Sequence, residues 1–199
     1  MLPQYGNNFI SKTAHLRPAY VNSFNLIVED LMRLRQYVEP TDAHAGVYSH
    51  RIYELLLRTC TEWESLCKEV LSIVDPQSAG ERTTVKDYKS LEPTLELANA
   101  EVGLMYWSPA RKLVVPFRGW TTQRPPLPWY QAYNSVKHNR NTEFSKATLE
   151  NLSLAVAGLF ATMERCRWIP ASRPWNTGVG GRLELASDAW PLSMTYATT

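Results

Sequence analysis

Residues 48–71 read YSHRIYELLLRTCTEWESLCKEVL. Ile52, Leu56, Cys60, Trp63, Cys67, Val70 and, just beyond, Val74 recur at steps of three or four, the period of a helix with one apolar face. Glu54 with Arg58, and Glu64 with Lys68, stand four apart with the acid first, an orientation that supports a helix flank. The spacing predicts one amphipathic helix from about Val47 to Val74, roughly 28 residues and about 40 Å long. A stripe of that length has to be covered by other helices, and this decides the fold class: a mainly all-α bundle.

The segments on either side fit. After a polar leader of about fifteen residues, Pro18 suits a first helical turn. Tyr20, Phe24, Ile27, Val28, Leu31, Leu34 and Val38 then form a second stripe that ends before Pro40. The turn EPTDAHAG is short, so these two helices are expected to pack antiparallel. DPQSAGERTT opens an insert of about residues 75–128. Within it, a short helix over Val85 to Ala100 is interrupted by Pro93. EVGLMYW and KLVVPF flank the turn SPAR as a small hairpin or a pair of extended segments, and RGWTTQRPPLP is a Pro-rich loop.

Helix is predicted to resume at Pro128 or Trp129, break near Asn139 to Thr142, and run again from about Glu143 to Trp168. That last helix is apolar on two sides. Leu149, Leu152, Val156, Leu159 or Phe160, and Met163 form one face, and Leu154, Ala157, Gly158 and Ala161 a smaller second one. Such a helix is central in the bundle or lies at a subunit interface. The organisation expected is a single domain over 1–168 with an extended C-terminal arm over 169–199.

Composition limits the functions open to the chain. It has 199 residues, 44% hydrophobic and 20% charged, enough to bury a sizeable core. A formal net charge of +2 excludes coating nucleic acid by charge alone, so any phosphate contact has to come from a local patch. Cys60, Cys67 and Cys166 form no C-x-x-C pair or Cys/His cluster, which points to neither a zinc site nor a disulfide framework. MLPQYGNNFISKTAHLRP lacks the pattern of a signal peptide, and no apolar run approaches ~18 residues. The expectation is a cytoplasmic protein with no membrane span, no metal and no cofactor.

One polar run stands out, WYQAYNSVKHNRN at 129–141. On a helix, Trp129, Ala132, Tyr133 and Val136 share a buried stripe, while Asn134, Lys137, His138 and Asn141 share another. Histidine can pass a proton during cleavage of an RNA phosphodiester, so His138 is the candidate acid/base. Lys137 and Arg140 would stabilise charge growing on the phosphoryl oxygens, and Asn134 would orient either partner. Asn141, Tyr133 and Trp129 are candidate binding residues. The bland reading is a solvated helix face that ends in a C-cap. His15 and His44 read as exposed loop residues, and His50 with Arg51 as helix-start residues serving packing or solubility. Trp120, Trp129, Trp168 and Trp175 read as cover for the core before they read as a base-stacking platform.

The pattern W-x3-YN-x2-KH-x-R, with Phe144 and Ala147 leading into an apolar helix, resembles the signature end of HEPN-like proteins (higher eukaryotes and prokaryotes nucleotide-binding). The long helix at 48–71 resembles the one that precedes it in such chains, and the likeness covers roughly residues 18–74 and 129–167. It implies an antiparallel helical bundle, a homodimer formed through the motif face, and a metal-independent endoribonuclease of RNA-processing, defence or toxin–antitoxin systems, with RNA and an antitoxin or other protein as partners. It equally implies the non-catalytic alternative, a nucleotide-, RNA- or protein-binding module whose polar stripe serves binding or the dimer interface. In the family's catalytic pattern four to six residues stand between an Arg and the His; here the corresponding places hold Tyr133, Ala132 and Gln131.

Overall fold

The stripe around Trp63 is buried as its spacing requires: Ile52, Leu56, Cys60, Trp63, Cys67 and Val70 are all inaccessible, and Val74 is half-buried. The computed structural model describes residues 6–77, 79–80, 83–121, 127–168 and 183–185, and these are mainly helical. Helix α1 spans Gly6–Thr13, α2 Arg17–Leu34 and α3 His50–Val74. The leader, which the sequence shows only as polar, is helical over Gly6–Thr13. Contact far along the chain holds it: Trp168 Nε1 donates to Thr13 Oγ1 at 3.3 Å, and Arg17 Nε donates to the Trp168 carbonyl at 3.0 Å. Ser49 caps α3 through Ile52 N at 3.2 Å, so this helix starts three residues later than its apolar period suggests.

Cross-helix pairs give the directions. Tyr20 meets Ser65, Ser23 meets Glu62 and Asp30 meets Arg58, so α2 runs antiparallel to α3. Arg58 and Glu54 therefore do not pair along the helix as their spacing suggests; Glu54 takes Arg51 at 2.8 Å. Helix α6, Pro128–His138, is also antiparallel to α3, since Glu64 faces Tyr133 while His50 faces Arg140.

The short segments fill the connections. Residues 85–99 are not one helix but a chain of single turns: α4 Val85–Tyr88, a 3-10 turn Lys89–Leu91, α5 Glu92–Leu95 and a 3-10 turn Leu97–Asn99. Pro93 lies in the first turn of α5, where its missing N–H costs nothing. After α6 come α7, Arg140–Glu143, a 3-10 turn Phe144–Lys146 and α8, Leu149–Arg165. Thr148, whose side chain accepts from Asn151 N, starts α8 six residues later than expected.

Helix α8 is the axis of the molecule. Its two apolar sides are both covered within one chain, by α3, α2, α6 and the insert. Trp63 Nε1 donates to Thr162 Oγ1 at 3.1 Å, and Tyr48 bridges to Thr148, so α3 and α8 run parallel. In the insert, β1 (Val102–Leu104) pairs antiparallel with β2 (Lys112–Val114), the expected hairpin. The sheet has a third strand, β3 (Leu183–Leu185), in the order β2-β1-β3. That strand belongs to the arm; residues 169–182 and 186–199 lie outside the described residues, as do 122–126 of the Pro-rich loop. The insert and α6 cover Trp63, whose ring sits 5.5 Å from Tyr88 and 5.9 Å from Phe117 of the insert and 5.1 Å from Trp129 of α6. Such aromatic pairs add about 0.5–1.5 kcal/mol each beyond their buried area. Among the described residues no helix is long and apolar enough to cross a membrane.

Candidate functional site

Helix α6 turns Trp129, Ala132, Tyr133 and Val136 into the core, which sets the direction of everything else on it. Trp129 is fully buried with Nε1 donating to the Pro116 carbonyl at 2.9 Å, so as a binding residue it is out of reach of a ligand. Trp120 and Trp168 are buried too, and Trp175 lies outside the described residues. Asn134 and His138 share the outward face; Asn134 is half-buried, His138 is exposed, and neither side chain has a partner among the described residues. Asn141 is likewise exposed, with no partner among the described residues.

The two cations expected beside His138 are held elsewhere. Lys137 leans towards α3, where Nζ donates to the Tyr133 hydroxyl at 2.9 Å and lies 3.9 Å from Glu64 Oε2. Tyr133 and Tyr130 in turn donate to the two oxygens of Glu64, at 3.0 and 2.5 Å. Glu64 is thus taken by α6 and not by Lys68. Both hydroxyls are pushed up, first by burial and then, for Tyr130, by the bond and charge of Glu64. The Tyr133 hydroxyl accepts from charged Lys137 and holds that ammonium above the ordinary lysine value. At neutral pH this cluster is a fixed network of donors around one carboxylate.

Arg140 goes to the start of α3. Asn139, with φ −132° and ψ 50°, ends α6 and swings the next turn off its axis. Arg140 Nη2 then lies 3.2 Å from His50 Nδ1, and its guanidinium stands 5.2 Å from the Tyr53 ring centre and 5.9 Å from that of Phe144. Phe144 is the hub of this group. Its ring is 4.8 Å from His50, 5.7 Å from Tyr53 and 5.7 Å edge-on from Tyr48, which is 50% exposed.

A guanidinium can only donate, so a hydrogen bond at this contact requires Nδ1 of His50 to accept, the tautomer that leaves Nε2–H to donate outward. The pair is an exposed set of N–H donors in an aromatic frame. His50, read from the sequence as a packing or solubility residue at a helix start, contacts both Arg140 and Phe144. The signal in the sequence was that Tyr48, His50 and Tyr53 cluster off the core stripe at one helix end.

A groove of about 410 Å³ lies between α2 and α3, but its charges satisfy one another: Asp30 holds Arg33 at 2.9 Å and Arg58 at 3.0 Å. Among the described residues no three His, Cys, Asp or Glu side chains converge as metal ligands do. No family model matches the chain, and neither a curated protein nor a solved structure does.

Proposed function

We propose that the chain is a HEPN-like helical module that binds RNA or a nucleotide through phosphate, at the Arg140–His50 pair. The observation that carries the reading is that pair itself: a cation and an imidazole N–H, both exposed, oriented by Tyr53 and Phe144. Charge-assisted donors of this kind recognise phosphate oxygens, and an open ring such as Tyr48 can take a base by stacking. Binding is favoured over cleavage because neither Lys137 nor Arg140 is directed at His138, and the lone pair of His50 is taken by Arg140. A general base needs a free lone pair, and charge growing at a scissile phosphate needs a cation beside it.

The test is fluorescence anisotropy with labelled single-stranded RNA, run beside a cleavage assay in EDTA. Wild type is expected to bind without cutting, and Arg140→Ala to weaken binding by about tenfold, ~1.4 kcal/mol. His138→Ala is expected to bind as wild type does. Metal-independent cleavage lost in His138→Ala would replace this reading with a ribonuclease that has His138 as its acid/base.

A further inference from the structure

We propose that the Arg140–His50 pair is a proton-linked site for a terminal phosphate, the dianionic monoester at an RNA end or on a mononucleotide, in preference to an internal diester. The proposal rests on the phosphate-binding reading above.

It follows from what the 3.2 Å contact requires of the ring. Arg140 donates to the Nδ1 lone pair. A ring protonated on both nitrogens has no lone pair to offer and would place two cations side by side. Without a ligand, then, the contact and the proton exclude each other. A phosphate reverses this, because its oxygens accept from the guanidinium and from a doubly protonated imidazole together. Ligand and proton therefore bind cooperatively, and each raises the affinity of the site for the other.

Among the described residues the surroundings add no unpaired negative charge. Glu54, one turn along α3, is held by Arg51 at 2.8 Å, and Glu143, on α7, is paired with Lys146. Glu64, further along the seam, is taken by Tyr130, Tyr133 and Lys137. Among the described residues, the rings of Tyr48, Tyr53 and Phe144 frame the pair. With its extra proton the pair carries two positive charges, which match the two negative charges of a monoester near neutral pH and exceed the one of a diester.

The experiment is isothermal titration calorimetry of the full chain at neutral pH, in two buffers of different ionisation enthalpy. The probes are a short single-stranded RNA with a 5′-phosphate, the same RNA with a 5′-hydroxyl, and a nucleoside 5′-monophosphate. The phosphorylated RNA is expected to bind at least ~10-fold tighter than its hydroxyl counterpart, with uptake of up to about one proton, and His50→Gln to abolish the uptake. Comparable binding of the monophosphate assigns the site to free nucleotides, and weaker binding assigns it to RNA ends; both support the proposal. Equal affinity for the two RNAs, or preference without proton uptake, overturns it while the phosphate-binding reading stands. Loss of all Arg140-dependent binding removes both. Uptake in wild type decides the matter even if His50→Gln fails to fold.

Discussion

Gly158 shows how tightly single positions are set. It lies mid-way along α8, where a Cβ would meet Trp129 Cζ2 at 3.1 Å and Phe117 Cζ at 3.4 Å. The Trp129 ring has no room to yield, since its Nε1 is bonded to Pro116 and Trp63 stands against it at 5.1 Å. Replacing a mid-helix glycine by alanine normally stabilises by up to ~1 kcal/mol. Here overpacking is the larger effect, and Gly158→Ala is expected to lower stability by about 1–2 kcal/mol, read as a reduced urea midpoint at unchanged m-value. A rise in the midpoint would mean that the ring shifts freely. The sequence places Gly158 on the smaller apolar face of this helix but does not show what packs against it. That partner is a ring from α6, not a helix of another subunit.

At the scale of elements, the caps explain where periodicity misleads. The stripes of α2, α3 and α8 could be read because helical burial repeats every three or four residues, whatever lies opposite. Their starts could not, since Ser49 and Thr148 end the helical backbone while apolar spacing runs on past them. Each side chain accepts one otherwise unmet amide, so Thr148→Ala is expected to cost about 1 kcal/mol, measured by chemical denaturation. A neutral result would assign the start of α8 to its backbone partners alone, the carbonyls of Val47 and Ala45, which accept from Leu149 and Glu150 at 2.8 and 2.9 Å. The candidate site was half legible for the same reason. His138 and Asn134 fall on one face by counting, whereas the Arg140–His50 contact joins residues 90 apart and has no local signature.

For the molecule as a whole, the sheet ties the arm to the bundle. Strand β1 lies between β2 and β3, and its three residues are all buried. Ending the chain after Trp168 removes β3 and leaves one side of β1 unpaired. With a few ladder bonds lost, at roughly 0.5–1.5 kcal/mol each, stability is expected to fall by about 2 kcal/mol. Helical circular dichroism should remain, while those amides of β1 that point towards β3, alternate residues along Val102–Leu104, lose protection from hydrogen exchange and those bonded to β2 keep it. Unchanged protection would show that β3 is dispensable. The hairpin could be read from two apolar runs around a turn; the third strand, about eighty residues further on, could not.

The parallel course of α3 and α8 also bears on the order in which the protein is made. Their contacts join residues about a hundred apart, Trp63 to Thr162 and Tyr48 to Thr148, and the pair His50–Arg140 spans nearly as far. At ~5–20 residues per second, the ribosome delivers Arg140 on the order of ten seconds after His50. Throughout that interval the apolar face of α3 has α2 for cover but neither α6 nor α8. The growing chain thus carries half a site and half a core together, and the same late helices complete both.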